Sequence, residues 1–226
     1  MIVIDRALKE GRTTLSEYES KQLLAAYQIP VTSEELVNNP EGLLRAAHKI
    51  GYPVVIKGCA AQIVHKTEKD LIRVDVRNDA EAKTAFEEIM AGMDGSGNTI
   101  LVQEMVKGQR ELVVGLNRDP QLGPCVMFGL GGIFTEILRD IAFRIAPLEK
   151  REALEMMQDI KAKKILEPIR GMPAADKHLL ADVLMTVGRI GLEHQMIKEI
   201  DINPIIISAG KPVAVDALVI LEQPKA

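Results

Sequence analysis

From residue 197 to 204 the chain reads Ile-Lys-Glu-Ile-Asp-Ile-Asn-Pro. A strand repeats every two residues, so this alternation places Glu199, Asp201 and Asn203 on one face and Ile200 and Ile202 on the other. An apolar second run, Pro-Val-Ala-Val-Asp-Ala-Leu at 212–218, follows a short turn at Ala209 and Gly210. Pairing Ser208 with Lys211 sets the register and brings Asn203 opposite Asp216. Opposed residues of an antiparallel pair have Cβ atoms about 4.5–5.5 Å apart, so an amide oxygen and a carboxylate there can share one hard cation. Magnesium held by one or two protein oxygens plus phosphates is the usual arrangement for phosphoryl transfer. The same alternation also suits a solvated hairpin with ordinary surface charges.

Composition narrows the classes open to such a chain. A formal charge of -4 over 226 residues, with three Tyr, four Phe and no Trp, gives neither a basic surface nor a stacking platform for nucleic acid. With 47% apolar residues the chain can bury one large domain or two small lobes. No run approaches the roughly 20 apolar residues that span a bilayer, and the first twelve residues lack the apolar core of a signal peptide. Cys59 and Cys125 stand far apart with no partner at zinc spacing, which fits reduced thiols. A cytoplasmic protein is expected.

Helices are predicted from 17 to about 28, from the Asn39-Pro40 cap to Gly51, from about 79, from about 149 to 161 and from about 175 to 191. Strands are predicted at 53–57, 71–76, 99–105, 111–116 and 125–128 and in the terminal pair. Strands and helices mix without a regular βαβ repeat, so the class is α+β in two lobes. The turn-forming cluster at 94–98 marks the expected boundary.

Four further segments bear on chemistry. Lys57 ends a buried strand before a loop of small residues, where an ammonium can meet phosphate oxygens, although an ordinary strand-end lysine would look the same. His65 lies in that loop, and an imidazole can accept and pass on a phosphoryl group; it can equally be structural. A short link between two strands is flanked by Glu104 and Glu111, where backbone groups can read a base edge and a carboxylate can accept ribose hydroxyls. Gly129-Leu-Gly-Gly132 places backbone amides where an anion could approach, but it lacks the spacing of a dinucleotide fingerprint.

In this order, the segments resemble the ATP-grasp β subunit or domain of the ADP-forming acyl-CoA synthetases, relatives of the succinyl-CoA synthetase β subunit. The likeness runs through LSEYESKQLL at 15–24, YQIPV at 27–31, GYPVVIK at 51–57, IVHK at 63–66, MFGLGGIFTE at 127–136 and EIDINP at 199–204. It implies an ATP-grasp fold with the nucleotide between two lobes, residues 1–20 and 99–226 forming the larger and 21–98 the smaller. It implies that Lys57 meets the phosphates, that Glu104, Met105 and Val106 meet adenine, and that Glu111 holds ribose. It further implies that Asn203 and Asp216 bind Mg2+ and that His65 relays phosphate to ADP from a histidine on a CoA-binding part. Glu136 and Arg144 fall in matching segments without an assigned role. The reaction implied is acyl-CoA + ADP + phosphate ⇌ acid + ATP + CoA.

No CoA-binding domain is found in these residues. The expected partner is therefore a CoA-binding α subunit, in an α2β2 hetero-oligomer, or the equivalent domains of a fused enzyme, for which residues 7–12 resemble a preceding linker. Two other readings compete: a stand-alone carboxylate-amine ligase of the same fold, and a nucleotide-sensing domain of a fused acetyltransferase.

Overall fold

The computed structural model describes residues 2–59, 71–93, 98–132 and 140–222. These divide into two compact units. The smaller comprises Ser16–Tyr18 and Thr32–Val106, and the larger comprises Met1–Leu15, Glu19–Val31 and Lys107–Ala226.

The smaller unit is an antiparallel sheet of β1 (Glu34–Val37), β2 (Val54–Cys59), β3 (Ile72–Val76) and β4 (Thr99–Glu104) in the order β1-β4-β2-β3. Helices α3 (Pro40–Ile50) and α4 (Asp79–Gly92) pack against it. Asn39 caps α3 by accepting from the Gly42 amide at 2.7 Å, and Asn78 caps α4 by accepting from Glu81 at 3.0 Å. On α4, Ala82, Ala85, Phe86 and Ile89 form the buried stripe that meets Ile56, Ile100 and Val102 of the sheet.

The larger unit opens with α1 (Ile2–Lys9) and contains most of α2 (Glu17–Ala26). Its sheet is built from β5 (Glu111–Asp119), β6 (Gly123–Leu130), β7 (Ile141–Ile145), β8 (Ile197–Ser208), β9 (Lys211–Ala214) and β10 (Leu218–Leu221). The order is β10-β8-β5-β6-β7, and β9 also pairs with β8. Helices α5 (Lys150–Asp159) and α6 (Lys177–Glu193) cover one face through Met156, Met157, Leu180, Leu184 and Val187. Arg118 fastens the end of α6, donating from Nε to Ile197 O at 2.9 Å and from Nη2 to the Gly191 and His194 carbonyls at 2.5 and 3.2 Å. None of the described helices is long and apolar enough to cross a membrane.

The terminal register is the expected one, with Ser208 opposite Lys211 and Ile205 opposite Ala214. After the break that contains Asp216, β10 rejoins β8 with Leu218 opposite Asp201. The alternation expected from Glu199 to Asn203 is present, with Ile200 and Ile202 buried and Glu199, Asp201 and Asn203 half-buried, and it shifts beyond Asn203. Leu112 pairs with Ile205 but Val114 pairs with Ile202, so β8 carries one extra residue at Asn203-Pro204, and the buried positions move from Ile200 and Ile202 to Ile205 and Ile207.

Three expectations are corrected. Residues 7–12 are not all linker: α1 runs to Lys9, with Ile4 and Ala7 buried in the core of the larger unit. The unit boundary does not fall at 98, because β4 pairs with both β1 and β2 and so stays in the smaller unit through Val106. Nor does the smaller unit begin at 21. Residues 19–31 belong to the larger unit, where Leu23, Leu24 and Ile29 join its core.

Candidate active site

In the smaller unit, β2 runs between β4 and β3 and carries Lys57, whose Cα neighbours are Leu101 and Ile72. The side chain is only 5% exposed, and its Nζ donates to Glu17 Oε1 at 2.8 Å, where Glu17 is 1% exposed. Glu104 closes β4. Its amide donates to Ser33 O at 2.9 Å and its Oε1 accepts from the Ser33 amide at 2.7 Å, which pins the chain entering β1. Met105 and Val106 follow outside the strand, both half-buried.

In the larger unit, Glu111 opens β5 and meets the glycine turn after β6. The Gly131 amide donates to Glu111 O at 2.9 Å, and the Gly132 amide donates to Asn203 Oδ1 at 3.1 Å. A Cβ on Gly131 would lie 2.6–2.8 Å from backbone atoms of Leu112, so no larger residue fits so close to β5. Gly132 has φ +61°, and a Cβ there would stand 2.1 Å from Glu111 Oε2. The turn therefore spends these two amides on Glu111 and Asn203 rather than presenting them to an anion, a correction to the expectation from the glycine spacing. Its effect is to set a carboxylate, a tight backbone turn and an amide oxygen side by side.

Asn203 shares its sheet face with Asp201 and Glu199, which line a cavity of about 300 Å³ together with Val113, Met127 and Phe143. Burial, then the charges of Glu199 and Asp216, push the Asp201 carboxyl up to about 6. Asp216 is thus electrostatically coupled to this acidic face. It lies between β9 and β10, just after Val215, whose amide donates to Pro204 O at 3.0 Å. Lys21 of α2, 1% exposed, donates to Val215 O at 3.2 Å.

His65 and Glu136 lie outside the described residues. Arg144, on β7, pairs with Asp159 at 2.5 Å at the surface. Glu17 and Lys21 were not singled out in the sequence. Their signal was a pair of opposite charges four residues apart on the helix face that continues to Leu24. Arg110 was also missed: it is 3% exposed and donates to the Ile165, Glu167 and Pro173 carbonyls, anchoring the loop before α6 beside Glu111.

The sequence profile described as ATP-grasp domain matches residues 6–221. The β subunit of ADP-forming acetate–CoA ligase I of Pyrococcus furiosus is 43% identical over 224 residues, covering 97% of this chain and 96% of that one. ADP-forming acetate–CoA ligase I of Archaeoglobus fulgidus is 38% identical, and this chain spans 32% of its length. Among solved structures, the dinucleotide-forming acetyl-coenzyme A synthetase 1 of Ca. Korarchaeum cryptofilum with coenzyme A and Ca-AMPCP superposes with a TM-score of 0.93 at 39% identity, covering 98% of this chain and 99% of that one. Another structure of that enzyme, with coenzyme A and Mg-AMPPCP, is described as having its phosphohistidine segment pointing towards the nucleotide binding site, with a TM-score of 0.86 at 40% identity.

Proposed function

Since the chain belongs to the ATP-grasp domain family, and within it to the β subunits and domains of the ADP-forming acyl-CoA synthetases, we propose that it is the nucleotide-binding subunit that exchanges a phosphoryl group between a phosphohistidine and ADP. The observation that carries this reading is the match to separate β subunits over nearly the full length of both chains. The net reaction is acyl-CoA + ADP + phosphate ⇌ acid + ATP + CoA, and a CoA-binding α subunit supplies the acyl chemistry in a hetero-oligomer, α2β2 in the simplest form. The relatives named above are acid–CoA ligases, which speaks against an amine ligase.

His65 receives the phosphoryl group from the partner's histidine and passes it to the ADP β-phosphate: the P–N bond breaks, a P–O bond forms and the imidazole nitrogen regains a proton. Lys57 neutralises phosphate charge, the backbone of Glu104, Met105 and Val106 faces adenine, and Glu111 accepts the ribose hydroxyls. Asn203 and Asp216 hold the metal. The donor set fits a hard divalent cation: oxygen ligands only, beside a buried carboxyl already strained by two neighbouring negative charges. Mg2+ bound there would neutralise charge on the phosphate oxygens. The cytoplasm is the compartment proposed, consistent with a chain of only two cysteines, Cys59 and Cys125, far apart in sequence.

Incubating the chain and its CoA-binding partner with acetyl-CoA and radiolabelled phosphate should place acid-labile label on this chain, discharged as ATP when ADP is added. His65→Ala should abolish both. Full ATP formation by that variant would refute the relay.

A further inference from the structure

A lysine that serves phosphate oxygens must keep its charge and aim its Nζ, yet its four-carbon stem is flexible and its burial is costly. Moving an isolated charge into a protein interior costs several kcal/mol even after relaxation, so a buried ammonium is retained only with a partner. Lys57 and Glu17 are both 4% exposed as residues, and their side-chain atoms meet at 2.8 Å. They lie 40 positions apart in the chain, so the contact is made by the fold rather than by local sequence. Glu17 is the first residue of α2, where the positive end of the helix dipole favours a carboxylate.

We propose that Glu17 is the positioning residue for Lys57: it holds the ammonium charged and in one orientation at the core of the smaller unit's sheet, ready for a phosphate. This rests on the reading of Lys57 as the phosphate lysine. An ammonium has three N–H donors, so one bond to Glu17 is compatible with another to a phosphate oxygen. A strand lysine paired with a helix glutamate is also the arrangement that protein kinases require for their phosphate lysine. The acyl substrate and the partner do not enter the argument.

The test uses the complete two-chain enzyme with Glu17→Gln, Lys57→Gln and the double variant, assayed for ATP formation well below each variant's Tm. A misplacement of 1 Å in a catalytic group can cost about 100-fold, so Glu17→Gln should lower kcat by roughly 10- to 100-fold while the KM for ADP changes by less than about threefold. The double variant should be no slower than Lys57→Gln alone, because Glu17 acts only through Lys57. Its Tm should recover relative to Glu17→Gln, because the buried ammonium that lost this carboxylate is itself removed. If Glu17→Gln does not fold, Glu17→Asp keeps the charge but falls one methylene short, and it too should lose kcat. Wild-type kcat in a folded Glu17 variant, or losses that multiply in the double variant, would overturn the positioning role. Wild-type kcat in Lys57→Gln would instead overturn the phosphate-lysine reading on which it rests.

Discussion

Gly132→Ala tests the ribose assignment without altering Glu111 itself. The added Cβ would lie 2.1 Å from Glu111 Oε2 and 3.3 Å from its carboxyl carbon, whereas the next contact, Glu111 Cβ, is at 3.9 Å. Only the far end of a flexible side chain has to yield, so the carboxylate swings away and the turn survives. The backbone cost is that of placing alanine at φ +61°, about 1 kcal/mol. For a chain of this size that lowers Tm by about 2–4 °C. A hydrogen bond to a charged group contributes about 1.5–3 kcal/mol. Taking the low end because Glu111 is exposed, the Kd for ADP measured by calorimetry should rise about tenfold. With 2′,3′-dideoxy-ADP, which offers no hydroxyls to the carboxylate, wild type and variant should bind alike. An unchanged Kd for ADP alongside the small Tm loss would refute the role of Glu111. An equal loss with both nucleotides would show that the glycine, not the carboxylate, matters.

The remaining predictions concern stability. Arg118→Ala removes a charged donor from the Ile197, Gly191 and His194 carbonyls; a loss of about 3 kcal/mol should appear as a Tm drop of roughly 6–12 °C, with the Kd for ADP unchanged. His194 is held below its usual pKa chiefly by burial, opposed by the charges of Glu193 and Asp5, and its ring meets the Tyr27 hydroxyl at 2.8 Å. A histidine depressed in the folded state contributes stability that is present above its unfolded pKa and is lost as pH falls through the folded one. Tm should therefore decline on acidification from about pH 7 to 5, and His194→Gln should decline less steeply over that window; identical slopes would show that the ring does not titrate with unfolding.

Local chemistry made much of the fold legible. The Asn39-Pro40 start and Gly51 end of α3 follow from capping alone, and the β8–β9 register follows from the two-residue turn at Ala209 and Gly210. Features decided by distant partners were hidden. The strand β1, Glu-Glu-Leu-Val, has only one buried residue and is a strand because β4 lies beside it. The edge strand β7 leaves Phe143 and Ile145 about half exposed, so no clean alternation announces it. Arg110 and Arg118 read as surface charges until their carbonyl partners, 55 or more residues away, are seen. The site divides in the same way. Glu199, Asp201 and Asn203 share a face by spacing alone, but the buried partner of Lys57 depends on a helix 40 residues earlier, and the extra residue at Asn203-Pro204 appears only once β5 is laid against β8.

The two ladders along one edge of β8 constrain how this region can change over evolutionary time. From Ala214 to Leu218 the chain advances four residues while its partner runs from Ile205 back to Asp201, and pairing resumes in step on the far side. Adding or deleting one residue in that gap would turn every later side chain of β10 to the opposite face, burying what is now outside. Drift around Asp216 is therefore confined to exchanging one side chain for another, and the chain length there is fixed even where the side chains are not.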